Sequence, residues 1–135
     1  MEKAIPTHAV KAVITNEQGA VLFLQRDGKA RADGKSNWDL PGGLVEDGEE
    51  DAVALEREVE EELKRKANVG EKLGQWAFYR PFDGATVEVT NYAVTLDDAK
   101  DLTLSDEHLA AQWVDKDVLR DLDVKDQSIF DALGE

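Results

Sequence analysis

The segment from about Glu49 to Ala67 constrains the fold most. Ala52, Leu55, Val59 and Leu63 recur at helical spacing, so one apolar stripe must be buried against something else. Asp47, with Glu50 three residues later, fits a capping box at the start of that helix. The flanking segments have a different character. "HAVKAVITNEQGAVLFLQRD" places two β-branched, apolar runs around Asn16-Glu17-Gln18-Gly19 and predicts a hairpin. "EKLGQWAFYRPFDGATVEVTNYAVTL" predicts two long strands joined at Phe82-Asp83-Gly84. "LAAQWVDKDVLRDL" predicts a short strand and then a helix from near Asp115, and "DQSIFDALGE" a short terminal helix. Gly28 to Asn37 and "DDAKDLTLSDEH" are polar loops, and "WDLPGGLVEDGE" is a short extended stretch broken by Pro41-Gly42-Gly43. This order predicts an α/β chain: a mixed β-sheet with helices on both faces.

Charge narrows the function classes. The chain has 135 residues and a net charge of -14, from 30 acidic residues against 16 Lys and Arg. That length suits a single domain over 1–135. Such a field repels polymeric nucleic acid and anionic membrane. A small polyanion can bind only where cations gather, either as side chains or as bound metal. There are no cysteines, which excludes disulfides, zinc-thiolate sites and a thiol nucleophile. No signal-like leader or membrane-spanning run stands out, so a cytoplasmic location is expected.

The stretch "REVEEELKRK", Arg57 to Lys66, concentrates Glu58, Glu60, Glu61 and Glu62 in five residues. Like charges three or four apart on a helix repel. Glu58, Glu61 and Glu62 share one region of the helix surface, and Glu58 and Glu62 each precede a stripe position. Carboxylate oxygens there suit a hard divalent cation. The competing reading is a self-neutralised solvent face, because Glu60→Lys64, Glu61→Arg65 and Glu62→Lys66 are all favourable i,i+4 pairs.

From Gly43 onward the chain resembles the Nudix box, G-x5-E-x7-R-E-U-x-E-E-x-G-U, where U is a bulky apolar residue. Gly43, Glu49, Arg57, Glu58, Val59, Glu61 and Glu62 match in register, and Lys64 and Arg65 stand where the motif has Gly and U. "WDLPGG" and "EHLAAQWVDKDVL" also look like family patterns, so the resemblance covers the whole chain. The motif's Gly ends the helix in a left-handed conformation. Either Lys64 keeps that turn at a cost of about 1 kcal/mol, or the helix runs on towards Asn68 or Gly70.

The resemblance implies a Nudix-type α/β/α sandwich and a metal-dependent hydrolase. It implies Mg²⁺, with Mn²⁺ as a substitute, held by Glu58, Glu61, Glu62 and the carbonyl of Gly42. Gly43, Glu49 and Arg57 are implied as the brace of the box, with Arg57 close to the chemistry. The implied base is Glu58 or the loop residue Glu107, which also reads as a plain loop carboxylate beside Asp106. The implied substrate is a nucleoside diphosphate linked to another group. The compact chain points to a nucleoside triphosphate, oxidised or not, giving nucleoside monophosphate and pyrophosphate. ADP-ribose or a nucleotide sugar is the alternative, on the weak signal of Pro81; a catalytically silent nucleotide sensor is another.

Arg26, Trp38, Tyr79 and Arg80 are candidate substrate contacts, although strand aromatics, among them Trp76 and Phe78, are more often core. Lys29, Arg31 and Lys35 read as solvated loop charge, and His8 and His108 as structural or surface groups. The enzyme is expected as a monomer or homodimer.

Overall fold

The computed structural model describes residues 6–26, 38–81, 83–97 and 108–115. Its elements are β1 (His8–Ile14), β2 (Val21–Arg26), β3 (Trp38–Asp39), β4 (Gly42–Leu44), α1 (Asp51–Leu63), β5 (Ala67–Arg80), β6 (Ala85–Leu96) and β7 (His108–Val114). The expected helices from Asp115 onward and the Gly28 to Asn37 loop lie outside the described residues.

The fold is α/β, but its strands form two sheets. One is mixed, in the order β4-β1-β6-β5, and the other is antiparallel, in the order β3-β2-β7. This corrects the predicted β1–β2 hairpin. The turn chemistry is present: Asn16 Oδ1 accepts from the N–H groups of Gln18 and Ala20, and Gly19 takes a positive φ of 82°. Only one isolated bridge, Thr15 to Val21, follows from it. β1 runs parallel to β6 with Ala12 opposite Tyr92, and antiparallel to β4 with Lys11 opposite Gly42. β2 pairs with β3 and β7. Both strands are apolar on both faces, so each needs neighbours that a two-stranded ribbon cannot provide.

The pleat divides β1 between two cores. Ala9 and Val13 join Val21, Phe23, Leu40, Trp76, Val87, Val89 and Val114. Val10, Ala12 and Ile14 face the other way, with Leu22 and Leu24 of β2, and receive α1 through Ala54, Leu55, Val59 and Leu63. Each of these larger side chains contributes roughly 1.5–3 kcal/mol when fully buried. Ala54 completes the helix stripe, not Ala52, which is exposed.

The helix is shorter than its periodicity predicts. Its N-cap is Glu50 in an extended conformation without a side-chain cap bond, so the Asp47 capping box does not form. Asp51 anchors the start of the helix instead. Its carboxylate accepts from Tyr92 Oη at 2.8 Å and meets His8 Nε2 at 3.1 Å, which ties α1 to β6 and β1. At the other end Lys64 keeps the left-handed turn, with φ 56° and ψ 37°, and its N–H donates to the Glu60 carbonyl. Arg65 and Lys66 therefore leave the helix, and the i,i+4 rows to Glu61 and Glu62 do not exist as helical rows.

Candidate active site

The Pro41-Gly42-Gly43 turn lays bare backbone against the acidic edge of α1. Gly42 has φ 140°, and a Cβ there would stand 2.1 Å from the Val10 carbonyl oxygen of β1, so only glycine fits. Its N–H donates to Glu62 Oε1 at 2.8 Å. A Cβ on Gly43 would lie 2.6 Å from the Glu58 carboxyl carbon, so that carboxylate rests directly on the chain. Lys11, in the middle of β1, steadies this turn from beneath. Its Nζ donates to Asp39 Oδ2 at 3.0 Å and to the Leu40 carbonyl at 3.3 Å, and both charges are buried. That pair is missing from the sequence reading. Its signal is a lysine in an otherwise apolar strand, which when buried must find a counter-charge.

Arg57 is the brace. Its Nε and Nη2 each donate to Glu49 at 3.0 Å, a bidentate pair, and Nη2 also reaches the Leu44 carbonyl. Its hydrogen bonds, with a backbone bond from Glu46, hold the Glu49 carboxyl below the ordinary range. The remaining nitrogen, Nη1, lies 3.0 Å from Glu58 Oε1 and 3.6 Å from Glu61 Oε1. So Arg57, inside the motif, meets Glu58 and Glu61, while Arg65 and Lys66 lie past the helix end at Leu63 and off the i,i+4 rows.

The three acids are not equivalent. Glu62 is 6% exposed, the Glu58 side chain 19% and the Glu61 side chain 59%. Burial pushes the Glu58 carboxyl above its ordinary range, the charge on Glu62 adds to the push, and Arg57 opposes both. Among the described residues, no three His, Asp or Glu side chains converge closely enough to hold a metal ion. The donor chemistry nevertheless fits a hard divalent cation. Two carboxylates, Glu58 and Glu62, are held against bare glycine backbone, and Glu61 lies 3.6 Å from the same Arg57 nitrogen that meets Glu58.

A family model, the NUDIX domain, matches residues 6–133. The CTP pyrophosphohydrolase of Escherichia coli (strain K12) is 33% identical over 104 residues, which cover 77% of this chain and 73% of that protein. The chain belongs to the Nudix hydrolase family. Its members are pyrophosphohydrolases that act on phosphoric anhydride bonds and generally need divalent metal ions. Among solved structures, the MutT protein of Methanosarcina mazei Go1 superposes with a TM-score of 0.76 at 29% identity, covering 98% of this chain and 94% of that one. The ORF135 protein of E. coli does so with a TM-score of 0.70 at 27% identity, covering 93% and 84%.

Other residues of this Nudix hydrolase divide by their contacts. Arg80 is buried and held by Asp83 at 2.7 and 2.9 Å and by the Pro6 carbonyl, so its guanidinium braces the β5–β6 hairpin. Tyr79 beside it is 64% exposed. Trp76 is core and donates through Nε1 to Asn91, and Phe78 packs beside it with ring centroids 5.8 Å apart. His8 is structural, on Asp51. Arg26 ends β2 and Trp38 begins β3. Glu107 lies outside the described residues. Among the described residues, no helix is long and apolar enough to cross a membrane.

Proposed function

We propose that this Nudix hydrolase acts in the cytoplasm on nucleoside triphosphates, oxidised ones included, releasing nucleoside monophosphate and pyrophosphate with Mg²⁺. The observation that supports the chemistry is the Glu58–Glu62 pair pressed against Gly42 and Gly43. The choice of a triphosphate is supported by the CTP pyrophosphohydrolase relative. Glu58 and Glu62 would hold the ion, with Glu61 and the Gly42 carbonyl completing the set. When bound, the ion neutralises phosphate oxygens and lowers the pKa of the attacking water.

The chain's own residues do the rest. Gly42 N–H fixes the Glu62 carboxylate, and Arg57 fixes the loop at Glu49 and orients Glu58. Water attacks phosphorus, the anhydride P–O bond breaks, and pyrophosphate leaves with the bonding electrons. The proton passes to a carboxylate. Glu58, beside the proposed ion, is one candidate for that role, and Glu107 is the other. Pro81 sits in the β5–β6 turn, which accounts for it without invoking ADP-ribose.

The test is product release with Mg²⁺ on nucleoside triphosphates, an oxidised dGTP, ADP-ribose and dinucleoside polyphosphates. Pyrophosphate from a triphosphate is expected, with turnover reduced at least ~100-fold in Glu62→Gln. Preferred turnover of ADP-ribose would reassign the substrate, and no turnover on any of them would leave a nucleotide-binding sensor.

A further inference from the structure

The end of α1 opens onto a groove of about 550 Å³ lined by Arg57, Glu60, Glu61, Lys64, Arg65 and Lys66. The chain is strongly acidic overall, yet this groove carries four cations against two acids. Arg57 is committed to Glu49 and Glu58. Glu61 belongs both to the groove and to the acid edge, so the groove is continuous with the proposed metal site. Arg65 has a local task, because its Nη1 donates to the Lys64 carbonyl at 2.9 Å and caps the helix end. Lys64 and Lys66 are exposed. Lys64 also occupies a left-handed conformation in which glycine would be cheaper by about 1 kcal/mol. One cation is enough to offset a helix C-terminus. The strain at Lys64 and the third cation at Lys66 are left without a structural reason.

We propose that Lys64 and Lys66 form a phosphate subsite that receives the terminal phosphate of a polyphosphate substrate. The subsite favours nucleoside triphosphates over diphosphate-linked compounds that end in a neutral group. This inference rests on the triphosphate reading above and deepens it. Lys64 and Lys66 supply the local positive charge that a polyanion needs to approach so acidic a chain. Arg57 and Glu61 place that charge next to the acids that handle the anhydride.

The test compares the full chain with the K64G/K66Q and K64R/K66R variants. Arg65 is kept so that the helix cap survives, and Lys64→Gly relieves backbone strain, so folding is not in question. Titration of inorganic tripolyphosphate in EDTA should show affinity about five- to tenfold weaker in K64G/K66Q and retained in K64R/K66R. The ratio of kcat/KM for the triphosphate to that for ADP-ribose should fall by a similar factor in K64G/K66Q, carried by KM. Equal tripolyphosphate affinity in all three proteins, or no binding by the unaltered chain, overturns the subsite. An unchanged ratio overturns its role in specificity, whatever the titration shows. Should the unaltered chain turn over neither substrate, the proposed function fails and the tripolyphosphate titration alone decides the groove.

Discussion

Asp51 and the Glu58–Glu62 pair lie about two turns apart on one helix, and both are carboxylates packed against strands. Their surroundings differ in kind. Asp51 receives a phenol from β6 and an imidazole from β1, and its position in the first turn suits the helix dipole. The interaction shows at Tyr92, whose hydroxyl pKa is pushed up to about 12 by burial and by the hydrogen bond to Asp51. Glu58 and Glu62 are instead close enough to feel each other's charge: Gly42 N–H donates to Glu62, Arg57 meets Glu58, and the charge on Glu62 adds to the burial that raises the Glu58 pKa. One group of acids joins three elements. The other holds a carboxylate, Glu58, whose charge is disfavoured by burial and by its neighbour Glu62, which is where a ligand of opposite charge gains most.

The sharpest way to break this contrast is to compare what each group does when its charge is removed. Asp51→Ala leaves a half-buried hydroxyl and an imidazole without their acceptor. Stability should fall by about 1–3 kcal/mol, while kcat stays within a few-fold of the unaltered enzyme. Glu62→Gln should do the reverse, lowering turnover at least ~100-fold with a smaller change in stability than Asp51→Ala, because the amide oxygen still accepts from Gly42. Urea unfolding and initial rates on the same preparations check both. An Asp51→Ala enzyme as inactive as Glu62→Gln would show that the clasp is part of the chemistry.

A smaller effect follows from Glu58. Its folded pKa is raised, so between the ordinary value of 4.5 and that raised value the folded state binds more protons than the unfolded one. The stability this group contributes is therefore full below pH 4.5 and is lost as pH rises through the folded pKa. In EDTA, the pH profile of Tm should show this loss on raising the pH from about 4.5 towards neutrality. Glu58→Gln should remove it, and saturating Mg²⁺ should remove it too, by favouring the ionised carboxylate. Glu49 and Asp83 have lowered pKa values and work in the opposite sense, losing their contribution as pH falls, so the difference between the two proteins is the quantity to read. An identical profile in both would mean that neither burial nor the neighbouring Glu62 raises the Glu58 pKa in the folded chain.

How much of this was legible in the sequence depended on distance along the chain. The Leu55, Val59 and Leu63 positions of the helix stripe, the β5–β6 hairpin and the Arg57–Glu49 pair are set by residues close together or in a fixed register, and they appear as read, with Ala54 in place of Ala52. The β1–β2 hairpin misled because its turn is real while β1 takes a partner strand 80 residues away. Local turn chemistry cannot report such pairing. The helix start misled for a related reason: Asp51 is held by His8 and Tyr92, contacts made across the fold, where the local rule pointed to Asp47. Spacing within the helix showed that the acids repel, but it suited a self-neutralised face equally well, and only the register of Gly43, Glu49, Arg57, Glu58, Val59, Glu61 and Glu62 with the Nudix box marked them as a site. The Lys11–Asp39 pair beneath it could be suspected from a buried lysine, but its partner could not be named.

The smallest effect bears on the end of α1, where the left-handed Lys64 contrasts with the clasped start. Lys64→Gly should raise stability, by up to about 1 kcal/mol, because the strain of a Cβ at φ 56° disappears. The gain is trimmed by the greater freedom that glycine gives the unfolded chain. The urea midpoint should therefore move up slightly with an unchanged slope. A drop instead would mean that the Lys64 side chain stabilises the helix terminus by more than its backbone strain costs. Its position would then be explained by capping, and the groove would lose one of the two observations that single it out. A rise, together with weaker tripolyphosphate binding, would show a residue kept at the expense of stability, as expected where a strained backbone presents a group to a ligand.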